Sequence, residues 1–174
     1  GEGFGMPLIL RYVLETCRDV AEGAAALARV PTHMSYNVTL LDARGAYQTL
    51  FLAPDREPIV THHACATNHQ RAVEWDAFAH ATASVERATE LRAHLADPDE
   101  SAARFVERFL EPPLYQTKFA RGWGTLYTAI YDPGAGAMEL RWPDFTLAQS
   151  IEDFRETSVA LTYCGHPEPD PQTP

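Results

Sequence analysis

The chain reads as an α+β protein because two groups of short alternating segments are preceded and separated by stretches of helical periodicity. Residues 34–61 and 125–142 carry period-two patterning bounded by turn residues, whereas 7–27 and 81–110 space apolar side chains at three and four residues. With 174 residues, 45% of them hydrophobic, the chain is long enough for one real core. Residues 1–164 are read as one domain, and the tail 165–174, with four prolines and no apolar periodicity, as a disordered end.

Each element has a local reason. Pro7 suits a first helical turn, and Leu8 with Tyr12 and Ile9 with Val13 place apolar side chains one turn apart. Thr16 is expected to cap a second helix carrying Asp19 in its first turn and Val20, Ala24 and Leu27 on one face, ended by Pro31. Met34–Leu41 and Ala46–Leu52 form a hairpin around Asp42-Ala43-Arg44-Gly45. After a turn over Pro54–Pro58, Ile59-Val60-Thr61 starts a third strand that leads towards Asn68. Ser84 is expected to cap a helix with Val85, Leu91 and Leu95, and Asp97-Pro98-Asp99 to start another through Phe105, Val106 and Phe109, closed by Pro112-Pro113. Thr125–Tyr131 and Met138–Trp142 pair around Asp132–Gly136, and Leu147–Phe154 reads as a final short helix.

Composition narrows the function. A net charge of −10 and a single lysine, Lys118, leave no basic patch, which argues against a nucleic-acid partner. Three cysteines, Cys17, Cys65 and Cys164, are an odd number without a C-x-x-C pair, so a reduced, cytoplasmic setting is expected. No apolar run reaches the roughly 20 residues of a membrane span, and no phosphate-binding G-x-x-x-x-G-K-S/T loop occurs. Neither a membrane association nor a cofactor is expected.

The segment Cys65-Ala66-Thr67-Asn68-His69-Gln70, followed by Ser84-Val85-Glu86-Arg87, carries the chemistry. The Asn68 amide offers two N–H donors that could face a tetrahedral oxyanion, though spacing alone favours a polar turn at a strand end. Arg87 could anchor a carboxylate or hold a nearby thiolate, or it could pair on a helix surface with Glu86 or Glu90. Tyr36 and Asn37 could line a substrate cleft, with buried hydrogen bonding the alternative for Asn37. Cys65, near His62, His63 and His69, could be a nucleophile or a small buried side chain. On a continuing strand, Cys65 and His63 would share a face. Metal binding by those histidines and Glu74 matches no ligand spacing, and no metal is expected.

These motifs, with Gly3-Phe4-Gly5-Met6-Pro7-Leu8-Ile9-Leu10-Arg11-Tyr12 and His33-Met34-Ser35-Tyr36-Asn37-Val38-Thr39-Leu40, resemble the isopenicillin-N acyltransferase-like family of N-terminal-nucleophile hydrolases, the peptidase C45-like group. Choloylglycine hydrolases and acid ceramidase are its more distant relatives. The resemblance implies an αββα sandwich of antiparallel sheets flanked by helices, of which this chain would be the C-terminal portion. It implies oxyanion stabilisation by Asn68 and a supporting role for Arg87, with a cysteine attacking an amide or thioester. None of the first fifteen residues is Cys, Ser or Thr, so the nucleophile is expected on an N-terminal half outside these residues. That half and a small acyl-amide or acyl-thioester are the expected partners, and open sheet edges could favour an oligomer. The alternative is a noncatalytic module derived from such an enzyme that binds acyl ligands.

Overall fold

A computed structural model describes residues 2–163; the proline-rich tail lies outside them. The chain runs α1 (Met6–Thr16), α2 (Val20–Leu27), β1 (Tyr36–Leu41), β2 (Tyr47–Ala53), β3 (Arg56–Thr61), α3 (Asp76–Ala81), α4 (Ser84–Ala96) and α5 (Ala102–Arg108). It continues through β4 (Thr117–Lys118), a 3-10 turn, β5 (Trp123–Gly124), β6 (Thr128–Asp132), β7 (Ala137–Trp142) and β8 (Phe145–Ser150). The strands form antiparallel sheets in the orders β1-β2-β3, β4-β5 and β6-β7-β8. The α+β class is therefore correct.

The main core lies where α1 and α2 cover one face of the first sheet. Ile9 and Val13 from α1 and Ala24 and Leu27 from α2 meet Val38, Leu50 and Leu52 from the strands. Each fully buried aliphatic side chain contributes about 1.5–3 kcal/mol, and this cluster holds the sheet flat against the helices. The β1–β2 turn is fastened by the Asp42 carboxylate, which accepts from the backbone N–H groups of Arg44 at 2.9 Å and Ala46 at 3.2 Å. Gly45 takes φ of 81°, a conformation that costs glycine little. At the N-terminus, Phe4 bridges Thr32, and a Cβ on Gly3 would lie 2.5 Å from the Thr32 backbone, so only glycine fits.

Several boundaries differ from the sequence-based expectation. Asp19, not Thr16, caps α2, its carboxylate accepting from Glu22 N at 3.0 Å; the Thr16 hydroxyl turns back to Tyr12 O at the end of α1. The β2–β3 turn is only Pro54-Asp55, and Pro58 sits within the edge strand β3, where a missing N–H is tolerated. Ser84 is the first residue of α4, not its cap. Ser101, not the Asp97-Pro98-Asp99 segment, caps α5. Thr125 belongs to the β4–β5 arm, bonded to Gln116 through both backbone and side chain, so β6 starts only at Thr128.

The expected helix over Leu147–Phe154 is instead strand β8 followed by a turn. Pro143-Asp144 folds the chain back so that Trp142 pairs with Phe145 and Leu140 with Leu147. The helical spacing of Leu147, Ile151 and Phe154 found no partner: Ile151 is 86% and Phe154 71% exposed. Ladder hydrogen bonds to β7 outweighed a weak local propensity. Helix α3 and the β4–β5 arm were not anticipated.

Candidate functional site

The face of the first sheet opposite α1 and α2 is covered by the segment that follows β3. Alternation along paired strands puts Asn37 and Thr39 of β1 beside Phe51 and Thr49 of β2 on this face, while Tyr36 and Val38 turn to the helices. The chain leaves β3 at Thr61 and crosses Asn37, Thr49 and Phe51 as an irregular loop. Irregular backbone over a sheet must have its polar groups satisfied. Thr49 Oγ1 donates to His63 O at 3.3 Å, and Asn37 Nδ2 donates to Thr67 O at 2.6 Å and His69 O at 2.9 Å. Buried Gln70 ends the crossing: its Nε2 donates to Leu52 O at 2.9 Å and Tyr36 O at 3.2 Å, and its Oε1 accepts from Arg56.

The other side of the loop is tied to α4. Thr67 Oγ1 donates to Ser84 O at 3.0 Å, Ser84 Oγ donates to Thr67 Oγ1 at 3.1 Å, and Ser84 Oγ lies 2.8 Å from His69 Nδ1. Each hydroxyl has one proton, so these assignments make His69 Nδ1–H the donor to Ser84 and leave Nε2 as the acceptor nitrogen. Ser84 has 0% exposure, which bars it from attacking a substrate despite its histidine neighbour. It follows Ala83, the only non-glycine residue with positive φ, 49°, among the described residues, at the α3–α4 junction.

Between these anchors Asn68 is exposed, and Arg87 Nη1 donates to its Oδ1 at 3.0 Å. Arg87 is half-buried, its Nε has no hydrogen-bond partner, and burial pushes its pKa down. The charge is thus held where solvent screens it poorly. Because a guanidinium only donates, the amide oxygen must face Arg87 and Nδ2 must point away from it. Among the described residues Asn68 Nδ2 makes no hydrogen bond. The pair therefore presents two polarised N–H donors at an exposed position.

The remaining expected site residues fall in different places. Tyr36 and Asn37 project from opposite faces of β1 and do not line one surface. The Tyr36 hydroxyl meets the His33 ring at 3.2 Å beside the core, whereas Asn37 supports the loop. Cys65 is half-buried in the loop, beyond β3, so it does not continue a strand face with His63. Among the described residues it makes no hydrogen bond, and His69 Nδ1 is engaged by Ser84. No group of three or more His, Cys, Asp or Glu is placed to hold a metal ion among the described residues. Thr67 and Gln70 stand in the motif without an expected role, and His69, considered beside Cys65 and as a metal ligand, is instead engaged by Ser84; all three help to shape the loop backbone.

A family model described as acyl-coenzyme A:6-aminopenicillanic acid acyl-transferase matches residues 1–146, which includes the loop, α4 and both members of the Asn68–Arg87 pair. No curated protein and no solved structure matches the chain.

Proposed function

We propose, from the premise that this chain belongs to the acyl-coenzyme A:6-aminopenicillanic acid acyl-transferase family, that it supplies the oxyanion-stabilising half of a cysteine-dependent acyl-transfer or amide-hydrolysis site. The carrying observation is the hydrogen bond that aims the Asn68 donors outward. In this reading a cysteine thiolate on an N-terminal segment outside these 174 residues attacks the carbonyl carbon of a small acyl-amide or acyl-thioester. The carbonyl π pair moves onto oxygen, and Asn68 Nδ2 donates to that developing oxyanion. The tetrahedral intermediate collapses, re-forming C=O and expelling the amine, which takes a proton, or the thiolate. Water or an acceptor amine then attacks the acyl-cysteine thioester, loses a proton and releases the acyl product, returning the thiolate.

Arg87 has two contributions in this scheme. It holds the amide in the productive orientation, and its guanidinium charge, poorly screened because half-buried, withdraws electron density through Oδ1 and strengthens the Nδ2 donors. The rigid anchoring of the loop on both sides, by Asn37 and Gln70 below and Ser84 above, supports preorganisation, since donors that do not reorganise are the effective ones.

The test is thiol release from an acyl-coenzyme A and amine release from an acyl-amide, with the chain alone and co-expressed with its N-terminal segment. Turnover that requires the segment and its cysteine is expected. Turnover by the 174 residues alone that is lost on Cys65→Ala would overturn the proposal and move the nucleophile to Cys65.

A further inference from the structure

We infer that the pocket between the Asn68 loop and α4 is a subsite for the anionic group of a substrate, a carboxylate or a phosphate, gripped by Arg71 and Arg92. The identity of the substrate as an acyl donor or acceptor rests on the acyl-transfer reading; the anion site itself does not. The pocket, of about 270 Å³, is lined by His63, Cys65, His69, Arg71 and Arg92, with buried Phe51 behind them. None of its lining residues is aspartate or glutamate.

That absence is unusual for this chain. Its net charge is −10, and several other arginines are paired with carboxylates at close range, among them Arg18 with Glu22 at 2.8 Å and Arg44 with Asp19 at 3.0 Å. Arg71 and Arg92 make neither a hydrogen bond nor an ion pair among the described residues. Both leave rigid points of the fold, Arg71 directly after buried Gln70 and Arg92 directly after buried Leu91. Guanidinium forks match the planar oxygens of a carboxylate or the edge of a phosphate, and two unpaired forks at one pocket form an anion site.

Size sets the class of ligand. At about 270 Å³ the pocket has room for one charged group and its immediate neighbours. It is below the about 300–1,000 Å³ of pockets that enclose a whole drug-sized ligand. The rest of the substrate must therefore lie outside, and the way out runs past the site already described. Thr67 and His69, which flank Asn68, line the pocket, as does Ala88, the neighbour of Arg87. An anion held here would orient a substrate whose carbonyl lies at Asn68, so remote binding would be spent on positioning.

The experiment is an NMR titration of the purified chain with acetate, inorganic phosphate and coenzyme A, monitored at backbone amides and arginine Nε–H groups. Saturable shifts centred on residues 67–71 and 92 are expected with at least one probe. Acetate alone would identify a carboxylate site; phosphate together with coenzyme A would identify a phosphate site. The double variant Arg71→Gln/Arg92→Gln is expected to bind at least tenfold more weakly. Arg11→Gln, a charge loss on α1, is expected to bind as the parent does. Absence of saturation with all three probes, or undiminished binding by the double variant, would overturn the inference. Asn68→Ala should keep the anion site while losing turnover, so the subsite and the acyl-transfer reading fail separately.

Discussion

Arg87, on the first turn of α4, donates Nη1–H to Oδ1 of Asn68 at 3.0 Å, and this bond joins two residues 19 positions apart into one polar unit. Among the described residues Arg87 has no carboxylate partner, and its side chain hydrogen-bonds to the Asn68 amide oxygen. An amide with its oxygen occupied by a cation can do little at that position except donate.

Asn68→Ala is accordingly expected to lower kcat by about 10²–10³ in the reconstituted enzyme, the usual cost of one oxyanion donor, with little change in KM or in thermal stability. Asn68→Asp should be at least as damaging while forming an ion pair with Arg87. Steady-state kinetics with thermal melts checks both, and an Asn68→Ala enzyme with unimpaired kcat would remove Asn68 from the mechanism.

Arg87 should trade stability against activity. Burial without an ionic partner costs the folded state, as the lowered pKa and the unbonded Nε indicate. Arg87→Met should therefore melt at the same temperature or higher, yet lose about 10–100-fold in turnover because Asn68 is no longer held in place. A melting temperature several degrees lower would show that Arg87 is chiefly a structural residue.

Asn37 is a positioning residue in this scheme. Asn37→Ala leaves Thr67 O and His69 O without their donor and should cost about 1–3 kcal/mol. The Asn68 loop should then loosen, with faster hydrogen exchange over residues 66–70 and reduced kcat. Tyr36→Phe, on the opposite face, should leave loop exchange and kcat near parental values. Equal effects of the two substitutions would contradict this assignment.

Acid should loosen the helical side of the first sheet. Asp19 has its pKa lowered, first by the Glu22 backbone N–H. Asp42 is raised by burial, but the Arg44, Val20 and Ala46 backbone donors outweigh this and the net direction is down. Carboxylates with depressed folded pKa values stabilise fully above the unfolded value, about 3.9 for aspartate. That stabilisation is lost as pH falls through the folded values. Melting temperature should fall below about pH 4, and Asp19→Asn, which keeps a capping oxygen, should flatten part of that slope.

Ala83→Gly should raise stability by a few tenths to about 1 kcal/mol, since a Cβ at positive φ costs about 1–2 kcal/mol and added chain entropy offsets only part of the gain. Chemical denaturation measures this directly. A destabilised variant would show that the Ala83 methyl contributes more by packing than its φ of 49° costs.

The two helices, the first hairpin and the start of α4 were legible because their signals are local: Pro7 at a helix start, Asp42–Gly45 at a turn, four-residue apolar spacing between them. Thr16 does not cap α2 because Asp19, nearer the helix start, accepts from Glu22 N, and Ser84 does not cap α4 because the helix starts from Ala83, at positive φ and without a side-chain cap. The β8 segment also misled: Leu147, Ile151 and Phe154 are spaced for a helix, but the Pro143-Asp144 turn delivers Phe145 and Leu147 to Trp142 and Leu140 first. Arg71 and Arg92 gave no signal, being ordinary arginines in an acidic chain until the fold left them without acids.

By itself the sequence determined the α+β class, the family and the identity of the polar residues gathered around Asn68. Residue types and short-range spacing suffice for these. Only the tertiary structure decided that Asn37 supports the Asn68 loop while Tyr36 faces the core, and that Arg87 holds the Asn68 oxygen. A strand's two faces are distinguished only by what covers them, and a hydrogen bond across 19 residues exists only once α4 is docked on the loop.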